Sequence, residues 1–120
     1  VIEEGKPIFQ QIAEQIEDDI IDEVYPAESQ VPSTNEFAAF YRINPATAGK
    51  GVNLLVDEGI LYKKRGIGMF VSAGARESLI AKRREAFRDE YLRPLLAEAA
   101  KLGIDPSQLA QMIHTEGVRA

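Results

Sequence analysis

The chain contains no cysteine and no tryptophan, has a single histidine, and carries no long apolar run. Each shortage removes a class of function. Without cysteine there is no disulfide framework, no thiolate nucleophile and no thiolate-bound zinc, which is the composition expected of a protein kept in a reducing cytoplasm. The one histidine, His114, lies near the carboxyl end with Glu116 as its acidic neighbour, and this pair makes neither a convincing metal set nor an acid–base couple. No enzyme, metal or cofactor is therefore expected. The carboxylates Asp18, Asp19, Asp22 and Glu23 read as a solvated face rather than a cation site. A bilayer span needs roughly 18 consecutive apolar residues, so no membrane partner is expected. The opening Val1-Ile-Glu-Glu-Gly-Lys does not read as a signal peptide.

What is present is ordinary in amount and unusual in placement. The 120 residues, 45% hydrophobic and 28% charged, suit one small domain with an appendage. The formal charge is −5, which on its face disfavours nucleic acid. That average hides an asymmetry. Between Val1 and Val24 stand eight carboxylates against Lys6, whereas between Arg42 and Arg65 stand five basic residues against Asp57 and Glu58. Charges further apart than about 8–10 Å are screened at physiological salt, so the local patch decides the partner.

Ile8, Phe9, Ile12, Ile16 and Ile20 recur at helical spacing, and predict an amphipathic helix from Pro7 to Val24 that Pro26 ends. Its late carboxylates oppose the helix dipole. Ser33 and Glu36 form a capping-box pattern, placing a short helix at Thr34 to Tyr41. After the Arg42-Ile43 turn, Asn44-Pro45 repeats the start signal for a third helix that runs to about Glu58 and stops at Gly59. Two strand-like runs, Ile60 to Lys64 and Met69 to Val71, flank a basic, glycine-rich loop, Arg65-Gly66-Ile67-Gly68. From Ala75 or Arg76 a long helical pattern follows, which Pro94 should kink. Gly103 stops it, and Asp105-Pro106-Ser107-Gln108 opens a final short helix through Leu109, Met112 and Ile113. The expected fold class is mainly α with a small β-hairpin wing (α+β). A winged helix-turn-helix over residues 1–73 precedes a two-helix tail over residues 74–120.

On the third helix Ala48, Val52 and Leu55 fall on one face, and Ala46, Lys50, Asn53 and Asp57 fall opposite, with Thr47 and Gly49 on the flanks. The outward face is small and cationic, as a helix lying in a major groove requires. Ala46 or the Thr47 methyl suits a thymine methyl, and Lys50 suits guanine or a phosphate. Gly51 is best explained by close helix packing. Gly49 is explained by close approach to DNA or by nothing. Ser33 and Asn35 begin the second helix, whose amino end attracts phosphate, although a cap alone also explains Ser33. The Lys63-Lys64-Arg65 loop adds three charges beside two glycines.

Together Val31-Pro-Ser, Glu36-Phe-Ala, Ile43-Asn-Pro-Ala-Thr-Ala, Lys50, Asp57-Glu-Gly-Ile-Leu and Arg65-Gly-Ile-Gly-Met-Phe-Val resemble the winged helix-turn-helix of GntR-type bacterial transcription regulators. The Asn-Pro turn and the short tail are most similar to the YtrA-like branch. The resemblance implies a homodimeric repressor on an inverted-repeat DNA operator, in the cytoplasm and on the nucleoid when bound. Carried over by position, it implies DNA contacts at Ser33, Asn35, Asn44, Ala46, Thr47, Lys50, Arg65, Gly66 and Gly68, with the wing in the minor groove. It also implies control of a transporter operon. Three departures stand out: the family usually has arginine where Asn35, Pro45 and Gly49 stand here. Glycines common around the Tyr25-Pro26 loop and in the helix-helix turn appear as Glu23, Glu28 and Arg42.

In the tail, Phe87, Tyr91, Leu92, Leu95 and Leu96 cover more than one helix face, so a second copy is expected to bury them, with Met112 at the same seam. An intramolecular hairpin packed on the winged domain is the alternative. A small-molecule effector between Phe87, Tyr91 and Met112 also stays open. So does a winged-helix protein-interaction module that has lost DNA binding.

Overall fold

A computed structural model describes residues 5–120; Val1 to Glu4, including the carboxylates Glu3 and Glu4, lie outside the described residues. No described helix is long and apolar enough to cross a membrane. The chain divides into two compact units, one ending at Ile80 and the other running from Ala81 to Ala120.

In the first unit, helix α1 spans Ile8–Ile21 with Pro7 at its cap position. Its apolar stripe is narrower than the sequence pattern: Ile12, Ala13, Ile16 and Ile20 are buried, while Ile8 is exposed and Phe9 half-buried. The helix stops three residues short of the expected Val24. Asp22 takes the cap, Glu23 turns left-handed (φ 62°), and the amides of Val24 and Tyr25 both donate to the Asp19 carbonyl. The carboxylates crowding this negative dipole end meet a cation from elsewhere. Arg76 Nε donates to the Ile21 carbonyl at 2.8 Å and lies 3.6 Å from Glu23.

Helix α2 spans Thr34–Tyr41 and helix α3 Pro45–Asp57, close to the limits their caps predict. The capping box is complete: Glu36 N donates to Ser33 Oγ (3.1 Å), and Ser33 N donates to Glu36 Oε1 (2.9 Å). Asn44 Oδ1 caps α3 by accepting from Ala46 N at 2.8 Å. Between the helices Arg42 is left-handed (φ 56°, ψ 52°), and the Ile43 amide donates back to the Ala38 carbonyl. The turn thus needs a conformation that glycine adopts freely and arginine does not.

The hairpin of β2 (Leu61–Lys64) and β3 (Gly68–Val71) is joined by a strand the sequence pattern missed, β1 (Gln30–Val31). The antiparallel order is β1-β3-β2, pairing Gln30 with Phe70, Val31 with Met69, and Leu61 with Val71. Two residues carry no readable alternation, which is why β1 left no signal. Its register is set by Val31 joining Leu61, Met69 and Val71 on the buried face. Ile16, Ile20, Ala48, Val52, Leu55 and Leu61 form the centre of the core, and Ala75 and Leu79 of the next helix close it. Gly51 allows α1 and α3 to touch, since a Cβ there would sit 2.7 Å from the Phe9 carbonyl oxygen.

Helix α4 (Ala75–Phe87) crosses from the first unit into the second. A π-helical turn, Arg88–Leu92, leads into α5 (Arg93–Lys101), with Pro94 in its first turn. A proline leaves the carbonyl four residues earlier without its usual donor, and the wider turn just before Pro94 is where the helix absorbs that loss. Asp105 and Gln108 form a second capping box that starts α6 (Pro106–Arg119). This last helix has 14 residues and runs well past Ile113, so it is not the short element expected. Ala99 and Leu109 are the only buried residues from Ala81 onward.

Candidate nucleic-acid interface

The cap pair Asn44-Pro45 fixes where α3 begins, and the buried Ala48, Val52 and Leu55 fix which way it faces. The opposite side then presents Ala46, Lys50, Asn53 and Asp57 to solvent, with Thr47 and Gly49 partly covered. With Phe9, Gly49 and Leu54 these four line an open groove of about 560 Å³. Helical spacing alone puts Phe9 in the α1 apolar stripe. The structure places its ring beneath Lys50, whose Nζ lies 4.2 Å from the ring centroid. Such a contact contributes about 0.5–1 kcal/mol when exposed, enough to bias the lysine without fixing it.

The amino end of α2 lies along the same flank. A Cβ at Gly49 would meet Thr34 Cγ2 at 3.5 Å, an ordinary contact, so packing against α2 does not require glycine there. Ser33 is exposed, but its oxygen is engaged with the Glu36 amide, and Asn35 beside it is exposed. The Ser33 hydrogen bonds, backbone first and side chain second, hold the Glu36 carboxyl below the usual glutamate range. Asn44 likewise uses its carbonyl oxygen as a cap, which leaves its amide hydrogens for a ligand. The structure therefore groups Ala46, Gly49 and Lys50 in one groove and sets Thr34, next to Ser33 and Asn35, against Gly49.

The hairpin forms a second cluster. Gly66 is left-handed (φ 75°), and Gly68 (φ 150°) holds a backbone conformation that side chains rarely adopt; a Cβ there would also lie 2.5 Å from Gln30 Nε2, so that side chain would have to swing away. The turn is closed by Ile67 N donating to the Lys64 carbonyl (2.9 Å), and Gln30 Nε2 donates to the Ile67 carbonyl (3.2 Å). The three cations are not equivalent. Lys64 folds back over the outer aromatic face, 4.4 Å from the Phe70 ring, which itself stacks on Tyr62. Lys63 pairs with Met69 and so sits on the opposite face of its strand, while Arg65 begins the exposed tip. Phe9 and Gln30 act on residues 41 and 37 positions away, a pairing no local pattern announces.

The dimer candidates are uncovered within one chain: Phe87 and Tyr91 are 57% and 62% exposed, and Leu92, Leu95, Leu96 and Met112 are exposed as well. Phe87 and Tyr91 contact each other, with centroids 5.6 Å apart.

Two capped helices across a tight turn, backed by a third and followed by an antiparallel hairpin, define a winged helix-turn-helix, a class built to present one helix to duplex DNA. Residues 8–71 match the family model described as bacterial regulatory proteins, gntR family. The chain is 28% identical over 107 residues to the HTH-type transcriptional repressor YtrA of Bacillus subtilis (strain 168), covering 89% of this chain and 82% of that protein. A crystal structure of a putative GntR-family transcriptional regulator from Bacteroides thetaiotaomicron is 32% identical with a TM-score of 0.75, covering 93% of this chain and 97% of the other. A crystal structure of the AraR DNA-binding domain in complex with operator ORX1 is 28% identical with a TM-score of 0.55, covering 60% of this chain and 87% of that one. Some further regulators are matched over only part of their length, 31% in one case. The chain belongs to the GntR family of bacterial regulatory proteins. It is a DNA-binding transcription regulator rather than an enzyme.

Proposed function

We propose that the protein is a repressor that binds an inverted-repeat operator as a homodimer. The observation that carries the reading is the outward face of α3. Its first two turns expose Ala46 and Lys50 and leave Gly49 without a side chain, so nothing bulky separates the helix backbone from a groove floor. Ala46 and Thr47 offer methyl groups to bases, and Lys50 offers a donor to guanine or phosphate. Ser33 and Asn35 at the amino end of α2, and Asn44 at that of α3, position the phosphate backbone. Arg65, Gly66 and Gly68 bring the wing to the minor groove. The architecture shared with a DNA-binding domain in complex with its operator supports this assignment. With no arginine at positions 35, 45 or 49, Lys50 and the wing supply more of the affinity.

The tail from Gly74 onward is the dimerisation region in this reading. Large apolar side chains at Phe87, Tyr91, Leu92, Leu95, Leu96 and Met112 stay exposed within the chain, and a two-fold partner removes them from water. Half-sites one helical turn, about 34 Å, apart then follow from two α3 helices. A small-molecule effector that releases the operator, and control of a transporter operon, complete the proposal. Such an effector must prefer the free form by about 1–3 kcal/mol.

Selection of bound genomic fragments, followed by a salt titration of the recovered site, tests the reading. A palindromic site whose affinity falls linearly in log–log with salt is expected. No selected site, or salt-independent binding, would instead make the chain a protein-interaction module.

A further inference from the structure

The tip of the wing carries a residue the charge-based reading does not use. Ile67 is 65% exposed at the apex of the turn, between Gly66 and Gly68 and one residue beyond the Lys63-Lys64-Arg65 run. Folding gains little from an isoleucine there, because most of its surface stays in water. Yet the backbone that carries it is pinned on both sides. Its amide donates to the Lys64 carbonyl, and its carbonyl accepts from Gln30 Nε2 on the neighbouring strand. The Gln30 side chain fills the space where a Cβ at Gly68 would be, whereas a Cβ at Gly66 would meet nothing within 4 Å. A bare, braced backbone therefore projects one stiff, β-branched apolar side chain, whose restricted rotamers lose little entropy on contact.

We propose that Ile67 is an apolar wedge for the minor groove of the operator, and that Gln30 is the positioning residue that keeps it erect. The inference deepens the DNA-binding reading and rests on it. Duplex DNA fits the tip because Lys63 and Arg65 supply the charge that draws phosphates to either side. The groove between those phosphates is walled by sugar C–H groups and floored by base edges. Apolar wedges act there by prising open base steps, most easily at pyrimidine–purine steps such as TA or CA. The wing thus reads deformability rather than hydrogen-bonding pattern.

The test uses the full chain and its selected operator, with anisotropy measured across a salt series. Ile67→Ser should weaken binding by about tenfold, the scale of a mostly buried aliphatic side chain, and leave the salt slope unchanged because no counterion is involved. The loss should shrink when the step under the wing is replaced by a stiff G·C step. Gln30→Ala should weaken binding in the same salt-independent way, and Ile67→Leu should restore most of the affinity. Since Ile67 is exposed, the melting temperature should stay constant in both its variants. Wild-type affinity in Ile67→Ser, or a loss that changes the salt slope as removal of a cation would, overturns the wedge while the DNA-binding reading stands. Failure of the unmodified chain to bind any duplex overturns both.

Discussion

Two glycines in α3 make opposite predictions, and together they test how closely that helix is approached from each side. At Gly51 a methyl would sit 2.7 Å from the Phe9 carbonyl oxygen and 3.4 Å from Ile12 Cβ. The carbonyl belongs to a helix backbone and cannot rotate aside, so α1 must move by several tenths of an ångström. Alanine gains about 1 kcal/mol of helix propensity over glycine. Overpacking costs about 1–3 kcal/mol, and a rigid neighbour puts this site toward the upper end. Gly51→Ala should therefore destabilise the protein by about 1–2 kcal/mol net. At Gly49 the added methyl would meet only Thr34 Cγ2, at an ordinary 3.5 Å. Gly49→Ala should stabilise the fold by up to about 1 kcal/mol, while weakening operator binding if DNA comes within contact of that flank. Urea unfolding measures the first effect and anisotropy the second. Unchanged or increased stability in Gly51→Ala would refute the α1–α3 contact argument. A Gly49→Ala variant that binds its operator like the parent would remove Gly49 from the interface.

Lys50→Ala should cost about 1–3 kcal/mol on the selected operator and little on random DNA, whereas Arg65→Ala should weaken both alike and flatten the salt slope; equal losses on both duplexes for Lys50 would make it a phosphate contact. Replacing Leu95 and Leu96 together by glutamate should yield a monomer in sedimentation and abolish tight binding to a two-half-site operator, and an unaltered sedimentation coefficient would place the dimer seam elsewhere. Ser33→Ala should lower stability by about 0.5–2 kcal/mol through loss of the cap. Because the folded state holds the Glu36 carboxyl below the usual 4.5, its contribution is complete above that value and is lost as pH falls through the lowered one. Glu36→Gln should accordingly flatten the acid limb of the stability profile, and an identical limb would show the box to be electrostatically silent.

The limits of α2 and α3 were legible because caps are local: Ser33 with Glu36, and Asn44 with Pro45, name their own helices within four residues. The inward and outward faces of α3 followed from helical spacing for the same reason. What escaped was set by distant partners. The early end of α1 depends on Glu23 turning left-handed and on Arg76 arriving from α4. The two-residue β1 exists because β3 offers it an edge. At the interface, Lys50 and the hairpin glycines could be singled out from type and spacing. Phe9 beneath Lys50 and Gln30 beneath the tip could not, since each is defined by a contact across the fold.

Glu23, Glu28 and Arg42 all hold left-handed backbone conformations, at φ 62°, 63° and 56°, which glycine adopts more readily. Each such side chain costs roughly 1–2 kcal/mol against the right-handed alternative. The loop between α1 and β1, at two positions, and the inter-helix turn are consequently held by their surroundings against their own preference, and the fold carries untapped thermal headroom at three separate points. Selection or engineering toward hotter conditions can draw on it without altering the outward side of α3, the hairpin tip or the carboxyl-terminal helices.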